Sequence, residues 1–323
     1  MGEIVYDSAE AIEIANQVFE EISNAIASIY DNPVIDRNPI QKNNGQMHDG
    51  VSVRLPDQTL APQIYIDSYV EKIMSGEEDT QGAVAECVKA IQANINPTIS
   101  MPVLDHDTAL HNLRAVVVNT AANKEMLKDT PHFEINDLSV YPKLKVKVGE
   151  TEGTIRVTDA ICPRLGMGPS EVLDTAVHNS VSEGYQINSL YSTVSSMVEM
   201  DICDAEEEVK EDTLVITGKD MTYGAVGMFI DPALRKEVHD RLGDFYLIPS
   251  SIREVLALRD DGNTDPKMLQ QMVREVNETT VSPEEILSSE VYHVDQSLKI
   301  SMACGETEKR PVAAETKHVA IRM

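Results

Sequence analysis

The stretch DPALRKEVHDRLGDFYLI, residues 231–248, places a helix directly before a strand and decides how the rest of the chain is interpreted. Asp231-Pro232 is typical of a helix start, because proline at the first helical position has no N–H to leave unsatisfied and aspartate caps the following amides. ALRKEVHDRL then predicts an amphipathic helix, and DFYLI predicts a strand.

The same helix start recurs on both sides of this stretch. Strands are predicted between or after these helices from DTLVITG, VYHVD and LKIS. Helices and strands follow one another without a regular β-α-β period, which favours an α+β fold with mixed, mainly antiparallel sheets packed with amphipathic helices. The other proline starts are Gly168-Pro169, Asp265-Pro266 and Ser282-Pro283, the last with a Ser282–Glu285 capping box.

The N-terminal part shows both periodicities clearly. Residues 7–30 carry one apolar stripe at helical spacing, and Asp7 with Glu10 predicts a capping box at its start. Asn44-Gly45 is the preferred pair for a hairpin turn, because both residues need a positive φ. VSVRL and PQIYID then alternate apolar and polar residues, which predicts antiparallel strands.

Composition changes along the chain predict its division into parts. Charge repulsion in DICDAEEEVKED favours a surface linker, and the C-terminal residues carry no sustained pattern. We therefore expect an acidic N-terminal helix, two α+β parts joined by the linker, and a mobile tail. Their ranges are 1–37 for the helix, 38–200 and 213–301 for the α+β parts, 201–212 for the linker and 302–323 for the tail.

Charge and cysteine content exclude several classes of function. The chain has 54 acidic and 27 basic residues, a net charge of −27, which opposes direct binding to nucleic acid or to an anionic membrane. Two explanations of the excess stay open: a soluble protein from an organism with an acidic proteome, or an acidic face that competes with DNA. Four scattered cysteines and an acidic start without a membrane-length apolar run indicate the cytoplasm.

A row of lysines marks one predicted strand. Lys143, Lys145 and Lys147 alternate with apolar residues, so their side chains share one face. The first interpretation is an edge strand whose cations discourage aggregation. The second is a ligand patch.

The turn LIPSSIREVLAL, residues 247–258, raises the question of a serine nucleophile. A serine at a tight turn after a strand is the setting of a hydrolase elbow, and His239 would be the base. Such an elbow needs small residues two positions on either side, whereas Ser250 has two isoleucines there and Ser251 has Pro249 and Arg253. Ser251 and Glu254 have the spacing of a capping box instead, which indicates a structural corner.

Metal and cofactor sites are weakly indicated. Asp105, His106, Asp107 and His111 form a dense cluster, but the two histidines lie about 140° apart on a helix. Capping of a short helix by Asp105 or Asp107 explains the cluster better than a metal site does, and GMGPSE carries a glutamate where a dinucleotide fingerprint needs glycine. We expect no bound cofactor.

Six stretches, in this order, resemble a family of domains of unknown function that is widespread in gut anaerobes and often lies near mobile elements. The likeness covers about residues 38–300, and it implies one shared architecture, a cytoplasmic location and an accessory role on mobile elements, with no activity to assign to any residue. The stretches are NPIQKNNGQMHDGVSVRL, APQIYIDSYVEKIMSGE, NTAANKEMLKDTPHFEINDLSV, YGAVGMFIDPALRKEV, LIPSSIREVLAL and MVREVNETTVSPEEILSSEVYHVD.

These features predict a non-catalytic binding or regulatory protein whose partner is another protein of basic character. One alternative is an acidic DNA mimic that inhibits a host defence or DNA-handling protein. Another is a serine-dependent hydrolase that uses Ser250 or Ser251. The sequence does not indicate an oligomeric state.

Overall fold

A computed structural model describes Tyr6 and residues 8–56, 63–95, 106–148, 151–190, 192–193, 212–219 and 224–304. The chain divides into two compact units. The first comprises residues 1–103 with 147–153, and the second comprises residues 104–146 with 154–323. None of the helices in the described ranges is both long enough and apolar enough to cross a lipid bilayer.

In its described residues, the first unit contains a three-stranded antiparallel sheet in the order β1-β2-β3 and three helices. The helix α1 contributes Val18 and Ile22 to the same core as Val51 of β2 and Ile91 of α3. The elements are α1 (Ala9–Ile29), β1 (Val34–Gln41), β2 (Met47–Arg54), β3 (Gln63–Tyr65), α2 (Asp67–Ser75) and α3 (Thr80–Asn94).

Local sequence signals explain where α1 begins and how the chain turns between β1 and β2. Ser8 caps α1 by accepting a hydrogen bond from the amide of Ala11 at 3.1 Å, one residue after the Asp7 cap that the sequence predicts. Asn44 and Gly45 both have positive φ, 57° and 70°, in the short connection between β1 and β2. The conformation predicted for this pair is therefore confirmed, although the turn is a single 3-10 turn.

In the described ranges, the second unit contains two sheets, except that the part of the four-stranded sheet within residues 147–153 belongs to the first unit. In the four-stranded sheet β4, β6 and β5 are neighbours in that order, and β7 pairs with β6. The elements of this part are α4 (His106–Asn112), β4 (Leu113–Asn119), α5 (Lys124–Leu127), β5 (Phe133–Ile135), β6 (Leu138–Val148), β7 (Thr151–Arg156) and α6 (Pro169–Glu183).

The six-stranded sheet has the order β13-β12-β10-β11-β9-β8, and every pairing in it is antiparallel. Helices and mainly antiparallel sheets confirm the α+β class. The remaining elements are β8 (Tyr185–Ser189), β9 (Thr213–Gly218), α7 (Val226–Ile230), α8 (Pro232–Leu242), β10 (Phe245–Ile248), β11 (Glu254–Arg259), α9 (Pro266–Thr279), β12 (Tyr292–Val294) and β13 (Ile300–Met302).

Helix α6 lies along the free edge of β4 and satisfies part of its backbone. The Ser180 hydroxyl accepts a hydrogen bond from the amide of Ala115 at 2.9 Å, and the Asn179 side chain donates to the carbonyl of Leu113 at 3.1 Å. An uncovered edge strand is a template for aggregation, so these contacts protect β4.

Three of the four predicted proline starts are confirmed, and the fourth is wrong. Pro169, Pro232 and Pro266 each begin a helix. After Ser282-Pro283 the chain forms only a turn. The carbonyl of Glu285 accepts a hydrogen bond from the amide of Ile252 at 3.0 Å, and this tertiary contact takes the acceptor that a helix would use.

The lysine row does not lie on an edge strand, so that interpretation is wrong. Strand β6 is internal, since it pairs with β4 on one side and with β5 and β7 on the other. Lys145 forms an ion pair with Glu183 of α6 at 3.2 Å. Lys147 is part of β6, but its side chain lies outside the described residues.

Three cysteines lie in the described ranges, and all three are free thiols. Burial, together with the carboxylates of Glu86 and Glu78, raises the pKa of Cys87 to about 12. Burial also raises the pKa values of the phenols of Tyr185 and Tyr292. These groups are therefore neutral in the folded protein at every physiological pH.

We expect stability to fall steeply above about pH 9. Below the pKa values of the unfolded chain, about 8.5 for cysteine and 10 for tyrosine, both states hold these protons. At higher pH only the unfolded chain releases them, so ionisation favours unfolding. Urea unfolding followed by circular dichroism at pH 7, 9 and 10.5 measures this slope. The Cys87→Ala variant should show a shallower slope, and an unchanged slope would contradict the assignment of Cys87.

The domain ranges expected from the sequence stay predictions. Of the predicted linker, only Asp212 lies in the described part of the chain, where it forms an ion pair with Arg259 at 2.9 Å. Of the predicted tail, residues 302–304 are described, and Met302 ends strand β13.

Candidate functional site

The predicted serine corner is the loop of a β-hairpin. Strands β10 and β11 pair with Ile248 opposite Leu256, and residues 249–253 connect them. The Ser251 hydroxyl accepts hydrogen bonds from the amides of Arg253 at 3.1 Å and Glu254 at 3.3 Å. It therefore caps a turn, but a strand follows this turn and not a helix.

The second half of the predicted capping box does not form. The Glu254 carboxylate accepts a hydrogen bond from the Ser250 hydroxyl at 3.4 Å and does not return to the backbone of Ser251. Arg253 donates to the Glu285 carboxylate through Nε at 2.8 Å and lies 2.7 Å from it through Nη2. These side chains form a polar cluster that joins the hairpin loop to the segment after α9.

The structure does not bring His239 to either serine. Its Nε2 lies 3.0 Å from Oδ1 of Asp244, which immediately precedes β10, whereas Ser250 and Ser251 follow that strand. At about 3.3 Å per residue, the strand separates its two ends by more than 10 Å. A nucleophile and base pair formed by these three residues is therefore not assembled.

An open cleft of about 400 Å³ lies beside the hairpin loop. Its lining is rich in hydroxyl groups and contains one basic and two acidic side chains. A hydroxyl can donate and accept, so such a lining suits the polar groups of a peptide or of another neutral ligand. The described residues that line it are Thr217, Ser250, Ser251, Arg253, Glu254, Thr280, Val281, Ser282 and Glu285.

Helix α9 ends beside this cleft and carries an exposed apolar row. Met268, Met272 and Val276 follow one another at steps of four and have exposed fractions of 67%, 58% and 49%. Thr280, the next residue in the same row, lines the cleft. The core-facing side of the helix is separate, since Val273 packs with Tyr246 and Val291. We call Met268, Met272 and Val276 the α9 row.

Sequence reasoning located α9 but not its exposed row. In KMLQQMVREV two apolar rows lie side by side, and both fit the period of a helix. Periodicity alone does not say which row faces the core. Only the packing of Val273 against β10 and the segment before β12 distinguishes them.

The predicted metal cluster is only partly described. His106, Asp107 and His111 belong to α4 and are exposed, whereas Asp105 lies outside the described residues. Within the described ranges, no three histidine, cysteine, aspartate or glutamate side chains converge to hold a metal ion.

The acidic ridge that a DNA mimic requires is described only at α1. Glu10, Glu13 and Glu20 are exposed there. The second acidic run, residues 201–212, lies outside the described residues except for Asp212. The mimic hypothesis therefore stays a prediction.

The fold and the site together define an α+β protein that has a hydroxyl-lined cleft and an exposed apolar row on the adjacent helix. The chain belongs to DUF5688, a family of unknown function that matches residues 13–296. The match begins within α1, upstream of residue 38, where the sequence resemblance begins. No curated protein and no solved structure matches the chain.

Proposed function

We propose that this protein is a non-catalytic cytoplasmic binding protein that takes up a segment of another protein along the α9 row. The exposed row itself carries the proposal. Three large apolar side chains at steps of four, each about half exposed or more, form a continuous strip on one helix. Contiguous exposed apolar surface is rare on soluble proteins and marks interaction sites.

The occupant that suits this strip is an amphipathic helix with a basic polar face. Helical partners insert apolar residues at i, i+3, i+4 and i+7, and methionines adapt to their shapes. The α9 row is bordered by Asp265 and Glu275, and the whole chain has a net charge of −27. Opposite charge on the partner would speed its encounter and exclude acidic competitors.

The cleft at the end of the row would bind the polar end of the same segment. Thr280 follows Val276 at the same step of four and lines the cleft, so a helix on the α9 row would end beside Ser250, Ser251 and Glu254. The accessory role on mobile elements that the sequence resemblance implies is compatible with such binding and stays a prediction.

Selection of displayed random peptides on the purified protein tests the proposal without knowledge of the natural partner. We expect enriched peptides to share helical apolar spacing and net positive charge. The triple variant Met268→Gln, Met272→Gln, Val276→Gln should bind them at least tenfold more weakly. Its stability should change by no more than about 0.5 kcal/mol, since the changed residues are exposed.

The matched control is Lys267→Gln with Glu278→Gln, two substitutions on the opposite side of the same helix. This variant should bind the selected peptides within about twofold of the unmodified protein, because surface substitutions outside a contact have small effects. Failure to enrich any peptide, or equal binding by the triple variant, would reject the proposed site.

A further inference from the structure

The two most exposed large apolar side chains in the described ranges are both methionines of the α9 row, Met268 and Met272. They lie four residues apart, so their side chains are neighbours on one side of α9. Met167 and Met228, by contrast, are buried in the core of the second unit. A small reagent in solution therefore reaches the first pair of thioethers and not the second.

An exposed thioether is a target for oxidation by a peroxide. The sulfur lone pair attacks one peroxide oxygen and the O–O bond breaks, and the leaving hydroxide takes the proton of the transferred oxygen and departs as water. Sulfur is oxidised by two electrons to a sulfoxide, and hydrogen peroxide is reduced. Hydrogen peroxide is small and uncharged, so the net charge of −27 does not repel it.

The cysteines in the described ranges are poor competitors for the same oxidant. The thiolate is the reactive form of cysteine, and it is the form that burial disfavours. Burial raises the pKa of all three thiols, those of Cys87, Cys162 and Cys304. Their slow reaction leaves the exposed methionines as the accessible sulfur groups of this part of the chain.

Oxidation would make the α9 row polar without disturbing the core. A sulfoxide oxygen accepts hydrogen bonds, so covering it with an apolar partner costs free energy. The core contact of α9 is made on another side of the helix, where Val273 packs with Tyr246 and Val291. The modification therefore changes the binding surface and leaves the packing of α9 intact.

We propose that Met268 and Met272 form a modification site, at which oxidation to methionine sulfoxide by a peroxide releases the partner from the α9 row. This control rests on the function proposed above, since it acts on the same surface. It is reversible, because methionine sulfoxide reductases restore the thioether. Two thiols supply the electrons and become a disulfide, and the oxygen leaves as water.

Mass spectrometry after exposure of the folded protein to hydrogen peroxide at pH 7 tests the chemical step without any partner. Trypsin cleaves after Lys267 and Arg274, so both methionines lie in one peptide, MLQQMVR. We expect Met268 and Met272 to gain oxygen at least about tenfold faster than Met228, because oxidation follows exposure. Equal rates at the three methionines would overturn the proposal.

The effect on binding is measured with the display-selected peptides before and after peroxide treatment. Protein oxidised at both methionines should bind them at least about tenfold more weakly, because a polar oxygen is buried under the peptide. The double variant Met268→Gln, Met272→Gln should lose affinity without peroxide, since a glutamine amide carries its oxygen on the δ atom as a sulfoxide does. Unchanged affinity of the oxidised protein contradicts the proposal.

The matched control is Met268→Leu with Met272→Leu, which keeps the row apolar and removes both thioethers. This variant should bind within about threefold of the unmodified protein, because leucine and methionine have similar volumes, and peroxide should not weaken it. Equal loss of binding in this variant after peroxide would place the effect elsewhere and reject the site. If no peptide binds the untreated protein, the proposed function itself fails, and this result precedes any oxidation.

Discussion

Replacing Gly224 with alanine is expected to remove more than about 3 kcal/mol of stability, at or beyond the upper end of overpacking effects. An ideal Cβ at this position would lie 2.0 Å from the amide nitrogen of Gly218 and 2.3 Å from the carbonyl carbon of Thr217. Both atoms are backbone in β9, which pairs with β8 and β11 and so has little freedom to move. Urea unfolding followed by far-ultraviolet circular dichroism measures the loss, since the chain has no tryptophan.

Gly168→Ala is the matched control for this substitution. Gly168 has a φ of −78°, and no atom lies within 4 Å of an ideal Cβ there. Alanine in place of glycine at a helix N-cap costs about 1 kcal/mol or less, because alanine is the poorer N-cap residue. Equal losses for the two variants would show that the effect comes from general glycine replacement and not from the contact with β9.

Local signals in the sequence were sufficient wherever a residue's own backbone preference decides the structure. Asn44-Gly45 accepts positive φ at two consecutive residues, and proline at the first helical position fixes the starts of α6, α8 and α9. These preferences act within a few residues, so their effects can be predicted without knowledge of the tertiary fold. They also gave the α+β class correctly.

Features that depend on partners far away in the sequence could not be predicted from local patterns. Strand β1 was not predicted, because Pro39 interrupts it and its polar residues find their partners only in β2. The lysine row was assigned to an edge, although β4 and β5 flank β6 from positions before it in sequence. The helix predicted after Pro283 does not form, because the carbonyl of Glu285 accepts a hydrogen bond from the amide of Ile252.

The candidate sites show the same division. The serine corner was located from the sequence, and the hydrogen bonds of Ser251 to two amides show why it is structural. The ion pairs of Glu183 join three separate elements, at sequence separations of 69 residues from Arg114 and 38 from Lys145. No local sequence pattern predicts contacts between residues so far apart in the chain. Only the alternation of lysines indicated this region.

Replacing Asp49 with asparagine is the second substitution for which we expect a large effect, a loss of about 3–5 kcal/mol in the stability of the first unit. The Asp49 side chain is fully buried, with Arg37 Nη2 at 2.6 Å and Arg37 Nε at 2.8 Å. The Tyr6 hydroxyl donates to the same carboxylate at 2.8 Å. An amide in place of this carboxylate would leave the guanidinium buried without a counter-charge. Urea unfolding at pH 7 measures the loss.

The double variant Arg37→Met, Asp49→Leu separates charge burial from simple loss of packing. Burial works against the charge of Arg37, but Asp49 outweighs it and raises the pKa of the guanidinium, so the two groups depend on each other. Removing one partner leaves an uncompensated charge, whereas removing both returns the site to apolar packing, which is often neutral or stabilising. We therefore expect the double variant to recover most of the stability that Asp49→Asn loses. If it is as unstable as the single variant, the contribution of Asp49 lies in its hydrogen bond to Tyr6 and not in compensation of Arg37.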